Sequence, residues 1–180
     1  MHQAAEEALK YGKHAQELIV DEEEIVTAYV KTVLLLAAGI TMKVEHRVTW
    51  KENVAFGTAD VILFDEPRQH MAVIDFKTGK TPVKAHDNAQ LQYLSRDALP
   101  HMTVTHGIIQ PKLHRNAVLE AYTLETRLAV NEEIFTAIDG YLATPSKLCA
   151  GKWCSKCKAK SFCPEKNKVD SMPQSIEPAW

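Results

Sequence analysis

Long apolar segments are absent from this sequence of 180 residues. No apolar run approaches the roughly 20 residues that a transmembrane helix needs. The first residues, Met1 to Glu7, lack a basic region followed by an apolar core, so they do not resemble a secretion signal. These absences argue against a membrane protein and favour a cytoplasmic location. The length and ordinary composition fit a globular protein with a sizeable core.

A strong charge of either sign is also absent, because the formal net charge is −2. A polycation that binds nucleic acid through its overall charge is therefore excluded, and any such binding needs a local basic surface. The segment Gly79-Lys80-Thr81 is not a phosphate-binding loop, because the glycine that this motif needs five residues earlier is replaced by Ile74. We therefore reject ATP binding.

Cysteine is missing from the first 148 residues, and all four cysteines follow in a short segment. This distribution does not suit a disulfide framework and predicts a metal or cluster site in a reducing compartment. A zinc ion and a [4Fe–4S] cluster are both held by four thiolates, so the pattern leaves both open. Six lysines surround the cysteines and are available to phosphate groups. The four predicted ligands are Cys149, Cys154, Cys157 and Cys163.

Charged residues interrupt two apolar runs in the middle of the chain. The runs Val61 to Phe64 and Met71 to Phe76 flank a polar turn, which predicts a β-hairpin. If Phe64 pairs with Met71, Asp60 lies opposite Asp75, where two like charges destabilise a sheet. A bound cation would remove this repulsion. Lys77 shares a strand face with Asp75, because the two are two residues apart.

The preceding segment, Thr41 to Trp50, alternates and predicts another strand. Its even-numbered members, Met42, Val44, His46 and Val48, are expected on one face. A two-residue turn at Glu52-Asn53 would pair Lys51 with Val54 and would place Glu45 opposite Asp60. A slip of one residue would send Glu45 to the other face.

Helical spacing and cap signals predict the remaining elements. We expect helices from Ala4 to Val20, from Asp21 as N-cap to Gly39, from Asp87 to Ala98, and from Asn131 to Pro145. Two further strands are expected from Met102 to Gln110 and from Ala117 to Leu124.

The motifs Gly57-x-x-Asp60 and Asp75-x-Lys77-Thr78-Gly79 resemble the core of the PD-(D/E)XK nucleases. With Glu45, the Gln/Tyr helix and the cysteine segment, the resemblance is greatest to the RecB-type exonucleases, including CRISPR-associated and phage-encoded members. It extends from about Tyr11 to Pro164 and implies an α/β, restriction-endonuclease-like fold with a central mixed sheet flanked by helices. The expected divisions are a nuclease core over 1–145, a four-cysteine segment over 146–168 and a flexible tail over 169–180.

The resemblance also assigns roles to individual residues. It implies Mg²⁺ or Mn²⁺ bound by a set of oxygen and nitrogen ligands, and three further catalytic side chains. The metal ligands are Glu45, Asp60, Asp75, the Phe76 carbonyl and His14, and the further catalytic residues are Lys77, Gln90 and Tyr93.

Three positions depart from the family pattern. The family has Gly-x-x-x-His in its first helix, but His14 follows Gly12 by two residues and Gln16 occupies the expected position. Tyr93 falls one residue early after Gln90, although residues three apart still share a helix face. The segment Cys-x2-Cys-x5-Cys resembles the family's iron–sulfur segment, in which the fourth cysteine lies far upstream. Here Cys149 has to replace it.

The expected function is metal-dependent hydrolysis of DNA from an end, through backbone contacts without strong sequence specificity. Recombination or DNA degradation in a bacterial or phage-infected cell is the expected setting, with a homo-oligomer or a recombination partner left open. Three alternatives remain. They are endonuclease action, an inactive nuclease-like module that binds DNA or protein around a structural cluster, and a zinc-stapled interaction module.

Overall fold

The computed structural model describes residues 1–12, 20–52, 55–113, 119–125, 132–144, 150–151, 154–155, 157 and 160–165. Two compact units divide the chain, Met1–Thr136 and Ala137–Trp180. Among the described residues, no helix has the length and apolar character needed to cross a membrane. The elements are α1 (His2–Tyr11), α2 (Val20–Leu36), β1 (Thr41–Lys51), β2 (Ala55–Asp65), β3 (His70–Phe76), α3 (Ala89–Leu94), a 3₁₀ turn (Ser95–Asp97), β4 (Thr103–Ile109), β5 (Leu119–Glu125) and α4 (Glu132–Ala143).

The described strands form one sheet in the order β1-β2-β3-β4-β5. All neighbouring strands are antiparallel except β3 and β4, which are parallel. Short turns join the first three strands, whereas the longer connection containing α3 lets β4 return in the direction of β3. The predicted α/β fold with a mixed sheet is confirmed.

The predicted hairpin register is confirmed, since Phe64 pairs with Met71 and Ile62 pairs with Val73. Between β1 and β2, Val44 pairs with Val61 and His46 with Ala59, which places Glu45 opposite Asp60 as expected. The predicted turn pairing is wrong: Lys51 pairs with Ala55 instead of Val54, and an irregularity between Thr49 and Lys51 absorbs the extra residue.

Strand β1 changes faces at Glu45, whose φ of 52° lies in the left-handed region. Met42 and Val44 pack in the cluster with α1 and α2, whereas Val48 lies in the opposite cluster with α3. The prediction that Met42, Val44, His46 and Val48 share one face is therefore wrong. A left-handed residue within an extended strand interrupts the two-residue alternation, which a sequence pattern assumes to be continuous.

Two apolar layers cover the sheet. On one face α1 and α2 pack against Ile74 and Phe76, and on the other α3 packs against Ile62 and Val73. Burial of each such side chain is worth about 1.5–3 kcal/mol. This two-sided burial holds the central strands rigid beneath the charged residues at their ends.

The helix boundaries differ from the predicted ones. Helix α1 ends at Tyr11, not Val20, because Gly12 adopts φ 64° and its N–H donates to the Ala8 carbonyl. Asp21 is not an N-cap, since α2 already includes Val20.

Helix α3 is shorter than predicted and covers only Ala89–Leu94. Asn88 caps it, as one of the two predicted candidates, by accepting hydrogen bonds from the N–H groups of Gln90 and Leu91.

Candidate active site

Asp60 lies where the ladder between β2 and β3 stops. Val61 and Ile74 form the last backbone pair, and beyond them Asp60 Oδ2 accepts the Phe76 N–H at 2.6 Å. The side chain of Asp60 thus replaces a backbone partner for β3. This bond fixes the carboxylate at the strand end, next to Asp75.

Asp75, Lys77 and Gln90 form a closed set of polar contacts. Asp75 is 3% exposed, and its Oδ2 lies 2.6 Å from Lys77 Nζ. Gln90 Nε2 donates to Asp75 Oδ1 at 2.8 Å, and Gln90 Oε1 accepts from Lys77 Nζ at 3.0 Å. The glutamine of α3 therefore orients both charged groups of the Asp-x-Lys motif.

His2 joins this region from α1, which the sequence analysis did not anticipate. Its Nδ1 lies 3.8 Å from Asp60 Oδ1, and its ring packs on Phe76 with centroids 5.0 Å apart. Helical spacing in the sequence could have indicated that His2 faces the sheet, because it shares a helix face with the buried residues Ala5 and Leu9. His14, the histidine predicted from the family motif, lies outside the described residues.

A small cleft opens beneath α1 beside the carboxylates. Its lining includes His2, Tyr29, Glu45, Asp60 and Phe76, and its volume is about 10 Å³. That volume is enough for roughly one water molecule.

The carboxylates on this side of the site are poorly compensated. Burial raises the pKa of Glu45 above its usual value, and the neighbouring Asp60 charge adds to the effect. Burial also raises the pKa of Asp60; the Phe76 N–H opposes this rise, and the charge of Asp75 reinforces it. A divalent cation would relieve this repulsion, and hard cations prefer such oxygen ligands.

Glu45, Asp60 and Asp75 are oxygen donors of the kind that hard cations prefer, and His2 lies at their edge. Within the part of the chain that the structure describes, no three His, Cys, Asp or Glu side chains converge as a ready metal-binding group. Phe76 is buried and its N–H serves Asp60. The predicted roles of these residues as ligands remain predictions.

Tyr93 is the predicted site residue that the structure does not bring to Asp75. Its ring packs near Phe135, with centroids 5.6 Å apart, and against Gly57. A Cβ on Gly57 would lie 3.1 Å from Leu94 Cδ2 and 3.2 Å from Tyr93 Cε1, so this glycine allows α3 to approach β2 closely. The tyrosine therefore contributes to the packing of α3 on the sheet.

Gln110 holds the loop that follows Lys77, a role that no motif indicated. The side chain is buried, and its Nε2 donates to the carbonyls of Gly79 at 2.9 Å and Thr81 at 2.8 Å. Its Oε1 accepts the Val83 N–H at 3.1 Å. These bonds join the end of β4 to the segment leaving the Asp-x-Lys motif.

The cysteine segment is described only in part, and Cys149 lies outside the described residues. Cys154 is buried, and its Sγ accepts the Gly151 N–H at 3.3 Å. The Cys157 N–H donates to the Cys154 carbonyl at 3.1 Å. Among the described residues, Cys154, Cys157 and Cys163 form no disulfide, and their role as ligands of a cluster or zinc remains a prediction.

Together these observations define an α/β protein with an acidic cleft at the end of a mixed sheet. The chain belongs to the family described as "Protein of unknown function (DUF2800)", which matches residues 2–175. It is similar to the solved structure titled "Crystal structure of SSO0001", with a TM-score of 0.49 and 18% sequence identity over 92% of this chain and 82% of that chain. Comparison with curated proteins gives no match.

Proposed function

We propose that this protein is a Mg²⁺- or Mn²⁺-dependent DNA exonuclease with a PD-(D/E)XK core of the RecB type. The observation that carries the proposal is the acidic row of Glu45, Asp60 and Asp75 on β1, β2 and β3. Glu45 lies opposite Asp60, the charge of Asp75 raises the pKa of Asp60, and Lys77 contacts Asp75. Phosphodiester hydrolysis requires neutralisation of phosphate charge and an activated water, and a divalent cation bound at the acidic row supplies both.

Each residue of the site has a distinct task. Glu45, Asp60 and Asp75, with the Phe76 carbonyl, would hold the cation, and His2 lies beside Asp60. Lys77 donates to the attacking water or to the phosphate oxygen on which charge develops. Gln90 keeps the ammonium group of Lys77 directed toward Asp75 through its two hydrogen bonds.

The proposed substrate is DNA, contacted through its backbone, since such contacts position a duplex or strand without reading sequence. The cysteine segment, with Cys149, Cys154, Cys157 and Cys163, is proposed to hold a [4Fe–4S] cluster, with Zn²⁺ as the alternative, and to present the neighbouring lysines to phosphates. The proposed setting is phage-related recombination or DNA degradation in the cytoplasm.

The test compares cleavage of end-labelled linear DNA and covalently closed circular DNA, with anaerobically purified protein and Mn²⁺ or Mg²⁺. We expect degradation of linear DNA from an end and no cleavage of circles. Lys77→Ala should lower the rate about 100- to 1000-fold, as for loss of one group that stabilises developing charge. Lys80→Ala, the same change at a nearby exposed lysine, is the matched control and should retain the activity.

Other outcomes would redirect the proposal. Cleavage of circular DNA that depends on Lys77 would identify an endonuclease. Absence of cleavage with every metal, together with DNA binding, would replace the enzyme by the nuclease-like binding module.

A further inference from the structure

Tyr29 of α2 places a buried hydroxyl in the acidic cleft. The residue is 1% exposed, and its hydroxyl has no hydrogen-bond partner among the described residues. Its ring stacks on Phe76 with centroids 4.2 Å apart and planes inclined by 15°, which fixes the direction of the hydroxyl. An unsatisfied buried polar group costs about 1–3 kcal/mol, so the position calls for a partner, and the described residues supply none.

The surroundings of this hydroxyl indicate the partner. Tyr29 lines the same cleft as His2, Glu45 and Asp60, and the cleft has room for roughly one water molecule. Burial raises the pKa of Tyr29 well above its ordinary value, and the charges of Asp60, Asp75 and Glu45 add to that rise. A phenol hydroxyl can donate one hydrogen bond, so Tyr29 can donate to a group that in turn donates to these carboxylates.

We propose that Tyr29 is a positioning residue, whose hydroxyl donates to a water molecule held in this cleft against the Glu45 and Asp60 carboxylates, within the coordination shell of a divalent cation. The inference rests on the proposed cation site. Mg²⁺ and similar cations retain several water ligands, and a hydrogen bond from the protein orients such a ligand. Outer-shell partners of this kind commonly change metal affinity 10- to 100-fold when they are removed.

The chain offers a matched control for this role. Tyr93 also has a buried hydroxyl without a hydrogen-bond partner among the described residues, but its ring packs against Gly57 and Phe135, outside the cleft. Tyr29→Phe and Tyr93→Phe remove the same atom from a buried tyrosine, and only the first removes it from the acidic cleft.

The experiment measures Mn²⁺ affinity from the electron paramagnetic resonance signal of free Mn²⁺, without DNA, for the wild type and both variants. Thermal unfolding without metal verifies that each variant folds. We expect the dissociation constant for Mn²⁺ to rise about tenfold or more in Tyr29→Phe. It should stay within about twofold of the wild-type value in Tyr93→Phe, because that hydroxyl lies outside the cleft.

Three results overturn the inference, and they differ from one another. If the wild type binds Mn²⁺ and Tyr29→Phe binds it equally well, Tyr29 has no such role and the cation site stands. If the wild type itself binds no Mn²⁺, the cation site and the proposed function fail together with it. Equal weakening in both variants would assign the effect to packing and would also overturn the inference.

Discussion

The two halves of the acidic row differ in how their charges are satisfied. Asp75 is enclosed by Lys77 and Gln90, both within hydrogen-bond distance of its oxygens. Asp60 and Glu45 have raised pKa values, and among the described residues the cationic candidate within ion-pair distance of Asp60 is His2, at 3.8 Å. The Asp75 half therefore contains its own counter-charge, the ammonium group of Lys77, before any ligand arrives. The carboxylates of Asp60 and Glu45 lack a comparable counter-charge among the described residues. A bound cation would therefore stabilise these two carboxylates more than it would stabilise Asp75.

The largest expected effect comes from Asp60→Asn, in the half formed by Asp60 and Glu45. The amide oxygen can still accept the Phe76 N–H, so the strand end is preserved while the charge is lost. We expect DNA cleavage to fall about 100- to 1000-fold. The free energy of unfolding without metal should stay equal or rise, because repulsion with Asp75 disappears. Cleavage rates and urea unfolding provide the two measurements, and a marked loss of metal-free stability would contradict the comparison.

Asp75→Asn should have the opposite effect on stability. It leaves the ammonium group of Lys77 without the carboxylate that lies 2.6 Å away, in a partly buried setting. We expect a loss of about 1–3 kcal/mol in the metal-free free energy of unfolding, measured by urea denaturation. Equal stability of the Asp60 and Asp75 variants would show that the two halves do not differ as described.

The smallest effect, a pH dependence, sharpens the comparison. A carboxyl whose pKa is raised by folding favours the unfolded state once it ionises. The metal-free free energy of unfolding should therefore fall as the pH rises from 3.8, the ordinary value for aspartate, through the raised pKa of Asp60. Asp60→Asn should remove part of this fall. The measurement is the difference in free energy between wild type and variant across this range, and a difference independent of pH would contradict it.

The titration of His106 changes the free energy of unfolding in the opposite direction over an overlapping pH range, and it is common to the wild type and the variant. Burial lowers its pKa from 6.5 to about 4, so the protein loses stability as the pH falls from 6.5 through about 4. Because His106 lies on β4 and bonds to Ser95, its contribution should be the same in wild type and Asp60→Asn and cancel in their difference.

Local sequence rules predicted the part of the fold that short turns control. Six residues between two apolar runs set the pairing of Phe64 with Met71. The turn expected at Glu52-Asn53 placed Glu45 opposite Asp60 correctly, although the observed partner of Lys51 is Ala55 and not Val54. Gln90 was assigned from the family resemblance, and its side chain contacts Asp75 and Lys77. The α/β class with a mixed sheet was expected from the family resemblance.

Other features depend on contacts between residues that are far apart in the sequence, which local sequence patterns do not reveal. His2 reaches Asp60 only because α1 packs on the sheet, and Gln110 reaches the loop after Lys77 from a strand later in the chain. The change of face at Glu45 results from one backbone angle. Tyr93 was assigned by family pattern, but its ring instead fills the space above Gly57.

The left-handed backbone conformation of Glu45 links the stability of the fold to the chemistry of the cleft. A residue with a Cβ atom held in this conformation costs about 1–2 kcal/mol relative to the extended form, and glycine or asparagine adopts it more readily. The fold therefore gives up stability to keep a side chain with a carboxylate at the point where β1 passes from one apolar layer to the other. A single residue thus turns the strand and supplies an acid to the cleft, so that the shape of the sheet and the chemistry of its edge are not independent.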